Sequence, residues 1–147
     1  MIRHLWNDKL YWAAIMAAPL FCLGFWFTQV SGAIDWYRPI SYPQKFLLLS
    51  FAYPVLEEIV FRGLLQSSLD KWLNRKWFWM EISRANVLTS IIFMIAHFIS
   101  HSWFWAVAVL GPSLIFGYFR DKYQNITPSI ILHVFYNTMY FAILGFQ

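Results

Sequence analysis

Two adjacent acids and a base stand inside an apolar stretch of roughly residues 46–65: Glu57, Glu58 and Arg62. A stretch of that length can span a bilayer as a helix. Because each charge at membrane depth costs roughly 2.5–3.5 kcal/mol, the three need partners inside a bundle or contact with water. On a helix Glu58 and Arg62 share a face, which predicts an ion pair. Glu57 then lies about 100° away, and a carboxylate without a full counter-charge suits proton transfer near neutral pH.

Further polar groups follow on two other apolar runs. His97 comes four residues after Phe93, and Asn137 comes four residues after His133. A single His in an apolar helix is more often a hydrogen-bonded core residue, and the Glu–Arg pair alone could simply hold two helices together. Two His, one Asn and two carboxylates on three helices instead favour a shared polar site. Peptide hydrolysis in a membrane needs such a site, with held water, a base and hydrogen-bond donors where negative charge develops.

The composition limits what can position these residues. The chain has 147 residues, 60% hydrophobic and 12% charged, which predicts one all-α, polytopic membrane domain over residues 1–147. A net charge of +4 would suggest nucleic acid in a soluble protein. Here the positive-inside rule explains it, so no nucleic-acid partner is expected. Cys22 is the single cysteine, so no internal disulfide forms.

About five transmembrane helices are predicted, with a sixth if residues 66–84 dip inward. The spans are residues 10–30, 46–65, 85–100, 103–119 and 127–146. The first could instead be a cleaved signal peptide. Residues 66–84 mix Lys, Arg and Trp and suit the headgroup layer.

The connecting segments are predicted from turn and charge signals. Residues 31–45 and 120–125 are predicted loops, and Thr127 with Pro128 predicts a helix start. Three acids fall in predicted loops and are expected to be solvated: Asp35, Asp70 and Asp121.

The distribution of basic residues predicts the topology. With the N-terminus inside, eight of the 11 Lys and Arg residues lie on the inner side, two lie outside, and Arg62 lies in the membrane. This asymmetry favours an N-inside orientation. We expect a bacterial inner membrane.

The candidate residues form three motifs in chain order, Glu57-Glu58-x-x-x-Arg62, Phe93-x-x-x-His97 and His133-x-x-x-Asn137. Together they resemble the motifs of the CPBP family, the CAAX-prenyl-protease and bacteriocin-processing (Abi) proteins. That family consists of glutamate-dependent intramembrane endopeptidases. The resemblance covers about residues 46–140.

The resemblance implies a role for each residue of the first two motifs. Glu57 would be the general base that activates a water molecule, and His97 would help to bind and orient that water. Glu58 would pair with Arg62 and shape the site. No serine or cysteine nucleophile and no cofactor is implied.

The third motif and the substrate follow from the same resemblance. His133 and Asn137 would donate hydrogen bonds to the oxyanion of the tetrahedral intermediate. The substrate would be a membrane-associated protein or peptide cut near its transmembrane anchor. The short length suggests a C-terminal protein-sorting system and a substrate groove that is reduced or completed by a partner.

Three alternatives stay open at this point. His97 and His101, with Glu58 or His133, could form a zinc site, although Phe98 stands where the metalloprotease signature has Glu. The chain could also be a non-catalytic scaffold or immunity-type relative. A small proton-coupled transporter would likewise need Glu, His and Arg at mid-membrane.

Overall fold

The computed structural model describes residues 5–29, 38–73, 77–79 and 81–145. Nearly all of them are helical, so the predicted all-α class is confirmed. In chain order the α-helices are α1 (Lys9–Gln29), α2 (Arg38–Ser41), α3 (Pro43–Leu47), α4 (Tyr53–Glu58), α5 (Ser67–Trp72), α6 (Arg84–His97), α7 (Trp103–Ala108), α8 (Leu110–Tyr123) and α9 (Thr127–Ile143).

The predicted charged helix is longer than expected and is not α-helical throughout. Helical residues run without a break from 43 to 72, and two stretches are π-helical, π1 (Leu48–Ala52) and π2 (Ile59–Gln66). The predicted loop at 31–45 is therefore wrong for residues 38–41 and 43–45, while residues 31–37 lie outside the described part. π-Helical turns are uncommon and occur frequently at functional sites.

A small β-hairpin interrupts the helical chain within the predicted headgroup segment. Strands β1 (Trp77–Trp79) and β2 (Ile82–Ser83) pair antiparallel. The sequence did not predict this pairing, and residues 74–76 and 80 lie outside the described part. The hairpin ends at Ser83, whose hydroxyl accepts the Asn86 N–H at 2.9 Å and caps α6.

The predicted fourth span, residues 103–119, is interrupted once and extends beyond its predicted end. The chain turns at Val109, just before Gly111 and Pro112, and then continues as α8 to Tyr123. The predicted loop at 120–125 is wrong for residues 120–123, because Arg120 and its neighbours find buried partners. Helix α9 begins at Thr127, as predicted.

One helical stretch of the described residues, Trp103–Tyr123, is long and apolar enough to cross a membrane by length and composition. Lys9–Gly24 and Arg84–His97 are apolar but shorter. The number of about five spans therefore stays a prediction.

The distribution of side chains around three helical stretches is the reverse of that in a water-soluble protein. Apart from Tyr11 and Phe93, most buried positions carry small or polar residues: Ala14, Ala18 and Cys22 on α1, Ser50, Glu58, Arg62 and Gln66 in residues 43–72, and Asn86, Thr89 and Ser90 on α6. Exposed positions carry large apolar residues: Met16, Leu20, Phe27, Leu47, Phe51, Leu56, Leu64, Ile91, Ile92 and Ile95. Small and polar interfaces with apolar outer faces are typical of helices packed in lipid.

The chain divides into two compact units, residues 1–56 with 131–147, and residues 57–130. In the first unit the Tyr136 hydroxyl donates to the Ala14 carbonyl at 2.6 Å, which joins α9 to α1. The second unit is organised around a buried polar network described below. The single-domain assignment stays a prediction.

Candidate active site

The acidic motif lies where α4 passes into π2. Glu58 is the last residue of α4 and is completely buried, whereas Glu57 is half-buried. The Arg62 Nε lies 3.3 Å from Glu58 Oε2, so the predicted ion pair is present. Arg62 also interacts electrostatically with Glu57, after its stronger interaction with Glu58.

Arg62 is held from several sides. Its Nη2 donates to the backbone carbonyl and to the hydroxyl of Ser113, both at 2.8 Å. The guanidinium carbon lies 5.1 Å from the centroid of the Phe93 ring and 5.9 Å from that of Phe116. Burial, two hydrogen bonds and two aromatic neighbours leave this cation little freedom, so it is a fixed counter-charge for Glu58.

His97 is the last residue of α6, and its ring orientation is set locally. Nδ1 lies 2.8 Å from the Phe93 carbonyl oxygen. Because a carbonyl only accepts, Nδ1 carries the proton, and in the neutral ring Nε2 carries the lone pair. This tautomer suits Nε2 for accepting a hydrogen bond from water.

Phe93 connects the histidine with the charged pair. Its ring centroid lies 4.4 Å from that of His97 and 4.9 Å from that of Phe61, and its face is turned to Arg62. The spacing Phe93-x-x-x-His97 thus has a structural meaning, because one residue supports both Arg62 and His97. Glu57, Glu58, Arg62 and His97 all belong to the second unit.

The third motif lies on α9 in the first unit. His133 is buried, and Asn137 Nδ2 donates to the Leu49 carbonyl at 3.0 Å. Leu49 belongs to π1, so this bond ties α9 to a π-helical turn. The two polar side chains share one helix face, as predicted. The oxyanion role of His133 and Asn137 stays a prediction.

His101 lies beyond the end of α6 and is exposed. Its ring centroid is 5.2 Å from that of His97, and its Nδ1 lies 2.9 Å from the Ser100 hydroxyl. In the part of the chain that the structure describes, no group of three or more His, Cys, Asp or Glu residues could hold a metal ion. The zinc alternative gains no support from these residues.

Four residues that follow one another at intervals of four form a buried polar stripe: Glu58, Arg62, Gln66 and Asp70. Each of the last three contacts α8. Arg62 bonds Ser113, Gln66 bonds the Gly117 carbonyl at 3.1 Å and Asp121 at 2.9 Å, and Asp70 accepts from Arg120.

The far end of the polar stripe is an ionic cluster that the sequence analysis missed. Arg120 Nη1 donates to Asp70 and, at 2.7 Å, to Asp121, and the Ser83 hydroxyl donates to Asp121 at 2.6 Å. Asp70 and Asp121 are buried, so their prediction as solvated loop acids is wrong, while Asp35 lies outside the described residues. The repeating interval of four could have revealed the stripe.

These features define an all-α protein with a buried Glu–Arg pair, a half-buried acid beside it and a histidine of fixed tautomer. A family model described as Type II CAAX prenyl endopeptidase Rce1-like matches residues 39–139, which contain all three motifs. The chain therefore belongs to the Rce1-like family, and the resemblance to CAAX proteases is confirmed. The family is a membrane-embedded one of CAAX-type intramembrane proteases. No curated protein and no solved structure matches the chain.

Proposed function

We propose that this chain is a glutamate-dependent intramembrane endopeptidase that hydrolyses a membrane-associated protein or peptide near its membrane anchor. The observation that carries the proposal is the difference in burial and pairing between two adjacent acids. Glu58 is completely buried and paired with Arg62, whereas Glu57 is half-buried and belongs to the same unit as His97. The first acid shapes the site and the second does the chemistry.

The water side of the mechanism uses Glu57 and His97. His97 Nε2 accepts a hydrogen bond from a water molecule, and Glu57 takes a proton from that water. The water oxygen then attacks the carbonyl carbon of the scissile peptide bond. When the C–N bond breaks, the proton held by Glu57 passes to the leaving amine. What supports this assignment is the fixed tautomer of His97 and the partial exposure of Glu57.

His133 and Asn137 are the proposed donors to the oxyanion. Their support is their shared face on α9 and the donor capacity of an imidazole and an amide. Asn137 directs one N–H of its amide to Leu49, and the amide carries a second N–H. Loss of a donor of this kind usually slows the chemical step roughly 10²–10³-fold.

The reversed distribution of apolar and polar side chains supports a polytopic arrangement in a bilayer. The bacterial inner membrane, the N-inside orientation and a role in C-terminal protein sorting belong to the same proposal. The N-inside orientation is supported by the distribution of the basic residues.

Two peptide probes test the proposed activity with the purified protein in liposomes. One is a quenched-fluorescent peptide with a prenylated C-terminal Cys-aliphatic-aliphatic-X sequence, and the other carries a C-terminal transmembrane anchor. We expect cleavage of at least one, at a rate that a chelator does not change. No cleavage of either, with both probes bound, would instead favour the scaffold.

The variant Asn137→Ala tests the proposed oxyanion role of Asn137. We expect kcat to fall roughly 10²–10³-fold with KM little changed, because the donor acts on the transition state. Thr138→Ala is a control for substitution on the same helix, since the Thr138 hydroxyl donates only to the Val134 carbonyl within α9. A rise in KM alone would contradict the oxyanion role of Asn137.

A further inference from the structure

The middle of the polar stripe contains a side chain that stability alone does not explain. Gln66 is completely buried, and its Nε2 donates to Gly117 and Asp121 on α8. Its Oε1 is buried without a hydrogen-bond partner among the described residues. An orphaned buried acceptor is destabilising, and an apolar side chain of the same size would avoid that loss. Stability alone therefore does not explain why this position carries an amide.

The position of Gln66 relative to the acidic motif suggests a role for its amide. Gln66 ends π2, one turn after Arg62 and two turns after Glu58. In an α-helix, residues four apart drift by about 40° around the axis, so a stripe of four residues would rotate by about 120°. The wider turns of π2 offset that drift, and all four residues of the polar stripe stay buried. The directions in which the motif side chains leave the helix therefore depend on how π2 is positioned and rotated about its axis.

The two hydrogen bonds of Gln66 fix the position of π2 against α8. They reach two successive turns of α8, at Gly117 and Asp121, so they resist both rotation and sliding of π2. A second connection runs beside them, because Arg120 donates to the Ser67 hydroxyl at 2.6 Å and that hydroxyl donates to the Arg62 carbonyl at 3.1 Å. Through these two hydrogen bonds, the Ser67 hydroxyl connects the ionic cluster to the backbone of the acidic motif.

We infer that Gln66 is a positioning residue for the acidic motif, and that its two hydrogen bonds to α8 set the direction in which Glu57 points. This inference rests on the proposed function. A base that is misplaced by about 1 Å loses roughly 10²-fold in rate without any loss of substrate binding. Gln66 would act through Glu57 and would not touch the substrate.

The test compares Gln66→Met with Gln124→Met in the full-length protein in liposomes. Methionine keeps the size of glutamine and removes the amide. Gln124 is a matched control because its Nε2 donates at 2.6 Å to the backbone carbonyl of the same Asp121, outside the polar stripe. We expect Gln66→Met to lower kcat roughly 10–100-fold on whichever probe is cleaved, with KM unchanged, and by more than the lower unfolding midpoint that loss of the bond to Asp121 brings can explain. Gln124→Met should leave kcat unchanged.

Hydrogen exchange of residues 57–66 provides a second readout that needs no cleavage. Gln66→Met should speed exchange in this segment selectively, and Gln124→Met should not. Unchanged kcat in Gln66→Met, or a loss that follows only the unfolded fraction, would overturn the inference while leaving the protease intact. If wild type cleaves neither probe, the proposed function fails by itself. Exchange then decides the positioning role: faster exchange in residues 57–66 supports it, and unchanged exchange overturns it.

Discussion

The two ends of the polar stripe use the same kinds of residues for different purposes. At the motif end, one carboxylate, Glu58, is matched by one guanidinium, Arg62, between two aromatic rings. At the other end, two carboxylates, Asp70 and Asp121, share Arg120. A buried ion pair by itself is weak evidence for function, because such pairs also hold helices together.

The surroundings separate the two cases. The ionic cluster joins α5, α8 and the start of α6. Arg120 donates to the Ser67 hydroxyl, and Ser83 and Gln66 donate to Asp121. At the motif end, the half-buried Glu57 instead precedes the buried pair, and the Phe93 ring links Arg62 to a histidine of fixed tautomer. Under the proposed function, the chemistry lies where a buried pair is flanked by a partly exposed acid, whereas Asp70, Asp121 and Arg120 anchor the helices.

The largest expected effects come from removing the cation at each end. Each of the variants Arg62→Met and Arg120→Met leaves a buried carboxylate without its counter-charge. Each should therefore lower the free energy of unfolding, measured in detergent micelles, by roughly 3–5 kcal/mol. Arg120→Met should lie at the upper limit, because two acids lose their partner. Adding Glu58→Gln to Arg62→Met should recover most of the loss, whereas an additive double variant would contradict the pairing.

A smaller effect is expected where α8 passes α6. A Cβ at position 117 would overlap the side-chain amide of Asn86, so Gly117→Ala should destabilise the protein by roughly 1–3 kcal/mol. Gly111→Ala is the matched control, since nothing lies near its Cβ position. Thermal unfolding of both variants measures the difference. Equal midpoints would show that α6 and α8 are not packed this closely.

The smallest expected effect concerns the cap that ties the hairpin to the ionic cluster. Ser83→Ala removes the N-cap of α6 and a hydrogen bond to Asp121, which should lower the free energy of unfolding by roughly 0.5–2 kcal/mol. Ser102 precedes α7 without a side-chain cap bond, so Ser102→Ala should change little. A similar loss in both variants would argue against a specific role of Ser83.

The sequence predicted the ion pair at the motif end better than the contacts of the ionic cluster, and the reason is physical. Glu58 and Arg62 are four residues apart on one helix, so their pairing follows from helix geometry alone. Arg120 and Asp70 are 50 residues apart, and only the packing of two helices brings them together. The same limit explains why the charges at 120 and 121 were assigned to a loop.

Helix starts were also predictable where local chemistry decides them. Thr127 and Pro128 predicted the beginning of α9, and the third span, predicted from residue 85, begins as α6 at Arg84, although it ends at His97 and not at residue 100. The pairing of β1 with β2 was not, because aromatic residues between basic ones suit both an interfacial segment and a short strand. The π-helical turns likewise left no signal in the hydrophobic pattern, since they change the winding and not the residue types.

The separate roles of the two adjacent acids are tested most directly by comparing Glu57→Gln with wild type. Both proteins are assayed for peptide cleavage and for free energy of unfolding in the same liposomes or micelles. We expect cleavage to be lost while stability is unchanged, because the substitution is isosteric and removes only the base. Retained turnover, or a loss of stability as large as that expected for Arg62→Met, would contradict these separate roles.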